Sequence, residues 1–298
     1  MHWPVSRADR RHARWLSATA VTLAAVAALC AAPPAGAEVT LGQLAPSSPT
    51  PQCSSTADYL QPSITGGNLY IARQAGTITS WSTRSSGAGA TYVFKVFRRT
   101  SDPDIYRVIA HAPAHELTSG VNTVPVDIAV RSGDMIGLNE SGGLNSCTFS
   151  QIGDGLLTRG GSLADGASGQ FGPQNDVRLN LSAVLVPSND FTISSITRDR
   201  KQGTATVLLN VSNPGLLTIS GKGLKKRPTK NVAVAGTAQF NIASVGKRRR
   251  KLEKTGKLTL SPTITFTPTA GEAARMTFAV KLLKRRLPPT PLRSPNAH

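Results

Sequence analysis

The sequence predicts an all-β chain, an N-terminal β-sandwich of jelly-roll type followed by a basic immunoglobulin-like β-sandwich. Three observations predict it. Apolar residues recur with a period of two in many short runs. In the first sandwich no window of twelve or more residues keeps an apolar 3.6-residue period. Turn clusters such as Gly66-Gly67, Ser132-Gly133-Asp134, Ser141-Gly142-Gly143 and Gly160-Gly161 separate the runs.

Residues 1–37 read as a signal peptide. Arg7, Arg10, Arg11 and Arg14 precede an uncharged stretch over 15–32, and Pro33-Pro34 leads to the small residues Ala35-Gly36-Ala37. The uncharged run is short and alanine-rich for a membrane span, which needs about 20 apolar residues. Leu29 before Cys30 does not fit a lipoprotein signal, and His12 after Arg10-Arg11 does not fit a twin-arginine signal. General secretion with cleavage after Ala37 is expected. Of three cysteines, Cys30 leaves with the signal. Cys53 and Cys147 then remain, and two thiols in an oxidising compartment are expected to pair.

Charge divides the remainder. Residues 38–190 carry nine Lys and Arg against twelve Asp and Glu, net −3, whereas residues 191–298 carry twenty-one against three, net +18. Such a step marks a boundary, with Val186-Pro187-Ser188-Asn189 as the linker. The expected organisation is an N-terminal segment over 38–49, a β-sandwich over 50–187, a basic sandwich over 190–286 and a disordered Pro-rich tail over 287–298.

In the first sandwich, Val124, Val126, Ile128 and Val130 alternate with polar or small residues, as do Tyr92, Phe94 and Val96, and Leu179, Leu181, Ala183 and Leu185. In the second, Val207, Leu209 and Val211 share a face, and Asn213-Pro214-Gly215 turns the chain into the run 216–220. Leu258, Leu260, Ile264 and Phe266 hold one parity, with Pro262 marking an edge or bulge. Met276, Phe278, Val280 and Leu282 repeat it. Residues 246–256 lack alternation and suit a single helical turn.

The stretches 76–81 (GTITSW), 94–98 (FKVFR) and 130–138 (VRSGDMIGL) resemble uncharacterised secreted proteins of high-GC Gram-positive bacteria. Residues 203–207 (GTATV), 217–223 (LTISGKG), 251–257 (KLEKTGK) and 266–268 (FTP) are similar to a basic C-terminal immunoglobulin-like module of such bacteria. The resemblance implies an extracellular two-sandwich protein and transfers no active site.

Residue chemistry is sparse. His111 and His115 are four apart, a metal-binding spacing on a helix, but Pro113 opposes a helix there. No G-x-S-x-G elbow accompanies them. Asp102 and Asp104 offer oxygen ligands for a low-affinity calcium site and equally suit a turn. The glycine-rich stretch 153–170, holding Asp154 and Asp165, reads as a flexible surface loop. Trp81, Tyr92, Phe97 and Tyr106 could stack on a sugar, although a strand Trp more often packs a core. No catalytic residue, metal ligand or cofactor is nominated.

The basic runs carry the functional expectation. Lys222, Lys225, Lys226, Arg227 and Lys230 form one, and Lys247, Arg248, Arg249, Arg250, Lys251, Lys254 and Lys257 another. Lys284, Arg285 and Arg286 form a third. Such a field attracts polyanions. Secretion points to anionic wall polymers or a membrane surface, carbohydrate being a weaker candidate and nucleic acid a poor one. A solvated basic surface serving solubility is the plain alternative. Leu287-Pro-Pro-Thr290 imitates a wall-sorting signal without the apolar stretch one needs, so wall association is expected to be non-covalent. The leading expectation is a secreted or wall-associated non-enzymatic protein. An extracellular, carbohydrate-active hydrolase with its site in the first sandwich is the alternative.

Overall fold

The computed structural model describes residues 38–47, 53, 56–141, 147–225 and 227–285. The expected signal peptide, its cleavage point, the tail from 287, Lys226 and Arg286 lie outside the described residues. The all-β expectation holds, with one helix among the described residues.

The first sandwich contains β1 (Val39–Gln43), β2 (Ala57–Ser63), β3 (Gly76–Ser85), β4 (Thr91–Arg99), β5 (Ile105–His111) and β6 (His115–Glu116). It continues with β7 (Gly120–Val130), β8 (Met135–Ser141), β9 (Thr148–Gly160), β10 (Ser168–Gln170), β11 (Gly172–Leu179) and β12 (Leu181–Pro187). One sheet runs β1-β12-β3-β7; the other runs β10-β5-β4-β8-β2-β9-β11, with β6 against β4. Neighbours are antiparallel and rarely consecutive in sequence, so the chain crosses repeatedly between sheets, as a jelly roll does. Trp81 on β3 and Phe94 on β4 stack across the two sheets at 5.9 Å. Tyr92, Phe94, Val96, Leu179, Leu181, Ala183 and Leu185 are all buried, as their alternation requires.

Cys53 and Cys147 form the expected disulfide, with Cα atoms 5.9 Å apart. They stand just ahead of β2 and β9, which pair with each other. The staple therefore ties the segment leading into β2 to the one leading into β9, 94 residues apart in sequence.

The stretch 153–170 is not the flexible surface loop that its glycines suggest. Most of the stretch 153–170 is strand, split between β9 and β10, and Asp154 is buried. Its glycines hid the strand because Gly153 takes a left-handed turn (φ 85°) opposite the irregular register at Asn175 and Val177. Lys95, on the polar parity of β4, is 2% exposed. Its strand is central, and Ser162 and Leu163 cover its outer face.

The second sandwich comprises β13 (Phe191–Asp199), β14 (Thr204–Val211), β15 (Gly215–Ser220), β16 (Thr229–Val232) and β17 (Gly236–Ile242). The helix α1 (Gly246–Thr255) follows, then β18 (Lys257–Leu260), β19 (Thr263–Pro268), β20 (Ala274–Thr277) and β21 (Val280–Leu283). The sheets β13-β14-β17 and β16-β15-β19-β20 enclose one core of Val207, Leu209, Leu217, Ile219, Phe240, Ile264 and Phe266. This is an immunoglobulin-like arrangement in which the fourth strand joins the third rather than the fifth. The pair β18-β21 is added to it.

Here a single parity spans two separate strands. Leu258 and Leu260 lie on β18, whereas Ile264 and Phe266 lie on β19 in another sheet. The switch falls at Pro262, which has no N–H to donate to a ladder. Met276 on β20 is 37% exposed, while Val280 and Leu282 on β21 are buried. The helix is a ten-residue element rather than one turn.

The chain passes between the cores at 186–190, and Asn213 clamps the crossing. Fully buried, its side chain accepts from the Ala75 N–H (2.7 Å) and donates to the carbonyls of Ala75 (2.9 Å) and Ser188 (2.5 Å).

Candidate functional site: a basic cap on the second sandwich

Strand directions define two ends of the second sandwich. β13 leaves the crossing at Phe191 and reaches the far end at Asp199; β14 starts there at Thr204 and returns to Val211. β15 runs outward again, and β17 ends outward at Ile242, opposite Ala205. The turn 199–203, the loop 221–225, the helix and the chain at 284–285 therefore meet at the end away from Asn213.

Backbone hydrogen bonds stitch these segments together. Lys225 N–H donates to the Ala243 carbonyl and Val245 N–H to that of Gly223, both at 2.9 Å. Lys284 N–H reaches the Gly256 carbonyl at 2.9 Å, and Arg285 N–H reaches that of Arg200 at 2.8 Å. Close approach needs two glycines. A Cβ on Gly203 (φ 73°) would stand 2.9 Å from Leu252 Cδ2, and one on Gly223 (φ 88°) would stand 2.6 Å from Arg248 Cγ. Leu252 is the buried anchor of the helix, and Gly256 ends it in a left-handed conformation, donating to the Leu252 carbonyl at 2.8 Å.

Two sequence-distant runs thus become one surface. Lys222 and Lys225 lie on the loop packed against the helix start. Lys247, Arg248, Arg249, Arg250, Lys251 and Lys254 ride on the helix, and Lys257 opens β18; all are exposed. Arg227 and Lys230 are exposed but lie by and on the edge strand β16, where a Lys also discourages strand addition. Sequence runs missed Arg198, Arg200, Lys201 and Lys281. Arg198 Nε donates to the Lys281 carbonyl at 2.9 Å, and Arg200 and Lys201 sit in the β13–β14 turn. The available signal was the hairpin itself, three cations in four residues ahead of Gly203.

Both carboxylates at this end are committed. Asp199 Oδ1 accepts the N–H groups of Lys201 (2.8 Å) and Gln202 (3.0 Å), closing the turn. Glu253 contacts Arg249 (3.1 Å) and Lys284 (3.4 Å), and these hydrogen bonds, Arg249 first, hold it below the ordinary carboxylate range. A cleft of about 300 Å³ between the helix and β18 is lined by Arg248, Lys251, Lys257 and Lys281 with Thr255 and Thr259, and by no carboxylate. The first helical turn carries no acidic residue although a helix N-terminus favours one. The free N–H groups there add to the anion-attracting field.

Several ionisable groups of the first sandwich have internal partners. Lys95 Nζ donates to Asp58 (2.7 Å), Ser162 Oγ (2.9 Å) and the Leu163 carbonyl (2.8 Å). Asp134 receives Arg98 through two bonds, at 2.6 and 2.8 Å. Asp154 pairs with Arg178 and accepts the Thr65 N–H at 2.7 Å. His111 contacts Asp165 at 2.7 Å, while the His115 ring packs edge-on to Trp81, so the two histidines have separate partners. Asp102 accepts the Asp104 N–H at 3.2 Å, as a turn residue does. Trp81, Tyr92, Phe97 and Tyr106 are all buried and offer no sugar-stacking face. Among the described residues the one cluster with metal-ligand atoms is Cys53, Glu140 and Cys147, and its thiols are spent in the disulfide.

Fold and site together define an all-β, disulfide-stapled chain of two sandwiches, the second with a cationic cap. No protein-family model and no curated protein matches it. Among solved structures it is similar to a GH2 β-galacturonidase from Eisenbergiella tayi bound to glycerol, at 11% identity and a TM-score of 0.21. The match covers 81% of this chain and 43% of that one. The same enzyme bound to galacturonate matches at 9% identity and a TM-score of 0.20, over 81% and 44%. The chain thus spans under half the length of these structures, and likeness of this degree carries no argument about function.

Proposed function

We propose that this is a secreted, non-enzymatic protein that associates with the cell wall and holds anionic polymers or an anionic surface on its basic cap. One observation carries the reading: four separate segments bring their cations to one end of the second sandwich, while both carboxylates there are tied up internally. A basic surface serving only solubility would have no need to converge, or to place three cations, Lys247, Arg248 and Arg249, in the unfavourable first turn of a helix. The disulfide supports maturation in an oxidising compartment. Among the described residues no helix is long and apolar enough to cross a membrane.

The test is retention of the full mature chain on isolated wall and on a heparin-like resin across a salt series. Exposed charges act over about 8–10 Å at moderate ionic strength, so retention should fall steeply as salt rises. Retention indifferent to salt, or none at low salt, would sink the proposal.

A further inference from the structure

The two flanks of the helix in the basic cap are not alike. Arg248, Lys251 and Thr255 follow at three- and four-residue spacing and so share one side of α1. That side borders the cleft of about 300 Å³ whose other wall is the β18–β21 ribbon. Lys257 and Thr259 point outward on β18, with Leu258 and Leu260 buried behind them, and Lys281 of β21 stands directly across from Thr259. Each wall thus brings two cations. The walls are also held in place. Thr255 Oγ1 lies 2.8 Å from the Lys251 carbonyl and 2.7 Å from that of Lys257, tying the helix end to the start of β18. The stem of Arg248 lies over Gly223, where any Cβ would crowd it.

On the opposite flank, Arg249 and Glu253 face a cleft of about 350 Å³ together with Lys225 and Lys284. Glu253 contacts both Arg249 and Lys284, so the chain supplies its own anion there. Among the described residues, Arg248, Lys251, Lys257 and Lys281 enter no ion pair. On their flank the anion must come from outside.

The arrangement narrows its chemistry. Cations on two facing walls enclose a volume rather than line a plane. A carboxylate offers a single charge and two oxygens in one plane. A phosphate monoester carries about −1.5 to −2 at neutral pH and presents three acceptor oxygens. Thr259 adds a neutral hydroxyl, suited to a hydroxyl on the group that bears the phosphate. The cleft is at the lower end of ligand-site volumes, enough for a phosphate with a small carrier. We propose that this cleft seats a phosphate monoester borne on a hydroxylated chain, with the four cations around the phosphate and Thr259 on the carrier. This rests on the cap being an anion-binding surface, and it makes one flank of that surface selective.

The probe is glycerol 1-phosphate, titrated at a constant ionic strength of about 0.15 M into the isotope-labelled full mature chain, with amide chemical shifts as the readout. Saturable shifts are expected at Arg248, Thr259 and Lys281 with a Kd of about 1–5 mM, the range for an open site and a ligand of about ten heavy atoms. Glycerate, the carboxylate counterpart, should bind at least about fivefold more weakly, having fewer charge-assisted bonds to form. Inorganic phosphate, which lacks the carrier, should bind at least about threefold more weakly, the scale of one lost hydrogen bond. Lys281→Gln and Thr259→Val, both at exposed strand positions, should each weaken the probe by about three- to tenfold. Lys230→Gln removes the same charge at the β16 edge and should change affinity less than about twofold. No saturable shift up to roughly 20 mM probe would overturn the proposal, since that lies beyond the affinity expected for the ligand's size. So would equal affinity for glycerate or for inorganic phosphate, or an equal loss in Lys230→Gln and Lys281→Gln. Retention of the same preparation on the heparin-like resin separates this seat from the wider reading. A chain retained in a salt-dependent way without saturable shifts loses the seat alone, whereas one that saturates but is not retained loses the polymer.

Discussion

At the scale of single residues, the first sandwich rests on buried charges that alternation could not assign. Trp81 was legible as core because a large apolar ring on a strand has one favourable place to go. Lys95 and Asp154 were not, since a charged residue in a strand reads as outward-facing until the covering segment is known. Asp154 shows the consequence. Burial alone would raise its pKa, but hydrogen bonds from Arg178 and Thr65 outweigh it and hold the carboxyl below its ordinary range. A depressed carboxylate contributes stability above its unfolded pKa of about 3.9 and loses it as pH falls through the folded value. Asp154→Ala should therefore cost about 3–5 kcal/mol at neutral pH, the scale of a broken buried pair. In denaturant titrations the gap from the parent should shrink as pH drops below the ordinary carboxylate range. A gap independent of pH would show that Asp154 acts through packing rather than charge.

At the scale of elements, pattern located most strands and misassigned what joins them. Leu258 to Phe266 kept one parity across two strands in different sheets, because a chain that changes sheet at Pro262 need not change phase. The helix was underread because its apolar side reduces to Leu252. The cations of its first turn oppose the helix dipole, and Arg249 and Glu253 are largely exposed, so their pair contributes little to stability. Replacing Arg248, Arg249 and Arg250 together with Gln should leave the melting temperature nearly unchanged, each surface change being worth no more than about 0.5 kcal/mol. The disulfide behaves oppositely. Closing a loop across 94 residues constrains the unfolded chain by about 4–5 kcal/mol on the entropy model. Cys53→Ser should thus lower the melting temperature on the order of 10 °C. Calorimetry on both variants separates an element kept for its charge from one kept for its stability.

At the scale of the molecule, the charge step near residue 190 was legible, and it coincides with the division between the two buried cores. The clamp at the crossing was not, because Asn213 sits in an Asn-Pro-Gly segment that any turn would explain. Its three hydrogen bonds hold both sides of the crossing in place. Asn213→Ala would strand the Ala75 N–H and take one donor each from the Ala75 and Ser188 carbonyls, which keep the Ser188 N–H and the Ser212 hydroxyl, at about 1–3 kcal/mol for a buried unsatisfied group. Limited proteolysis should then cut faster near 186–190, while each sandwich keeps its core. Unchanged cleavage would mean that packing rather than Asn213 fixes the junction.

The cap itself is a claim about place, and place can be tested apart from total charge. Arg248, Arg249 and Arg250 lie on the cap, whereas Arg227 and Lys230 lie by the β16 edge. Both sets are exposed, so loss of either removes positive charge without emptying a core. A site-directed interaction releases counterions in proportion to the anionic groups it neutralises, with a log–log salt slope of about 0.7–0.9 per phosphate for nucleic acids. The cap triple variant should lower the salt slope of binding to a phosphodiester polymer by roughly two to three, as each lost phosphate contact removes about one. Replacing Arg227 and Lys230 with Gln should change it by well under one on the same scale. Equal loss of slope per charge in the two variants would mean that the polymer feels net charge alone, and the convergence of segments at the far end of the second sandwich would then have no part in binding.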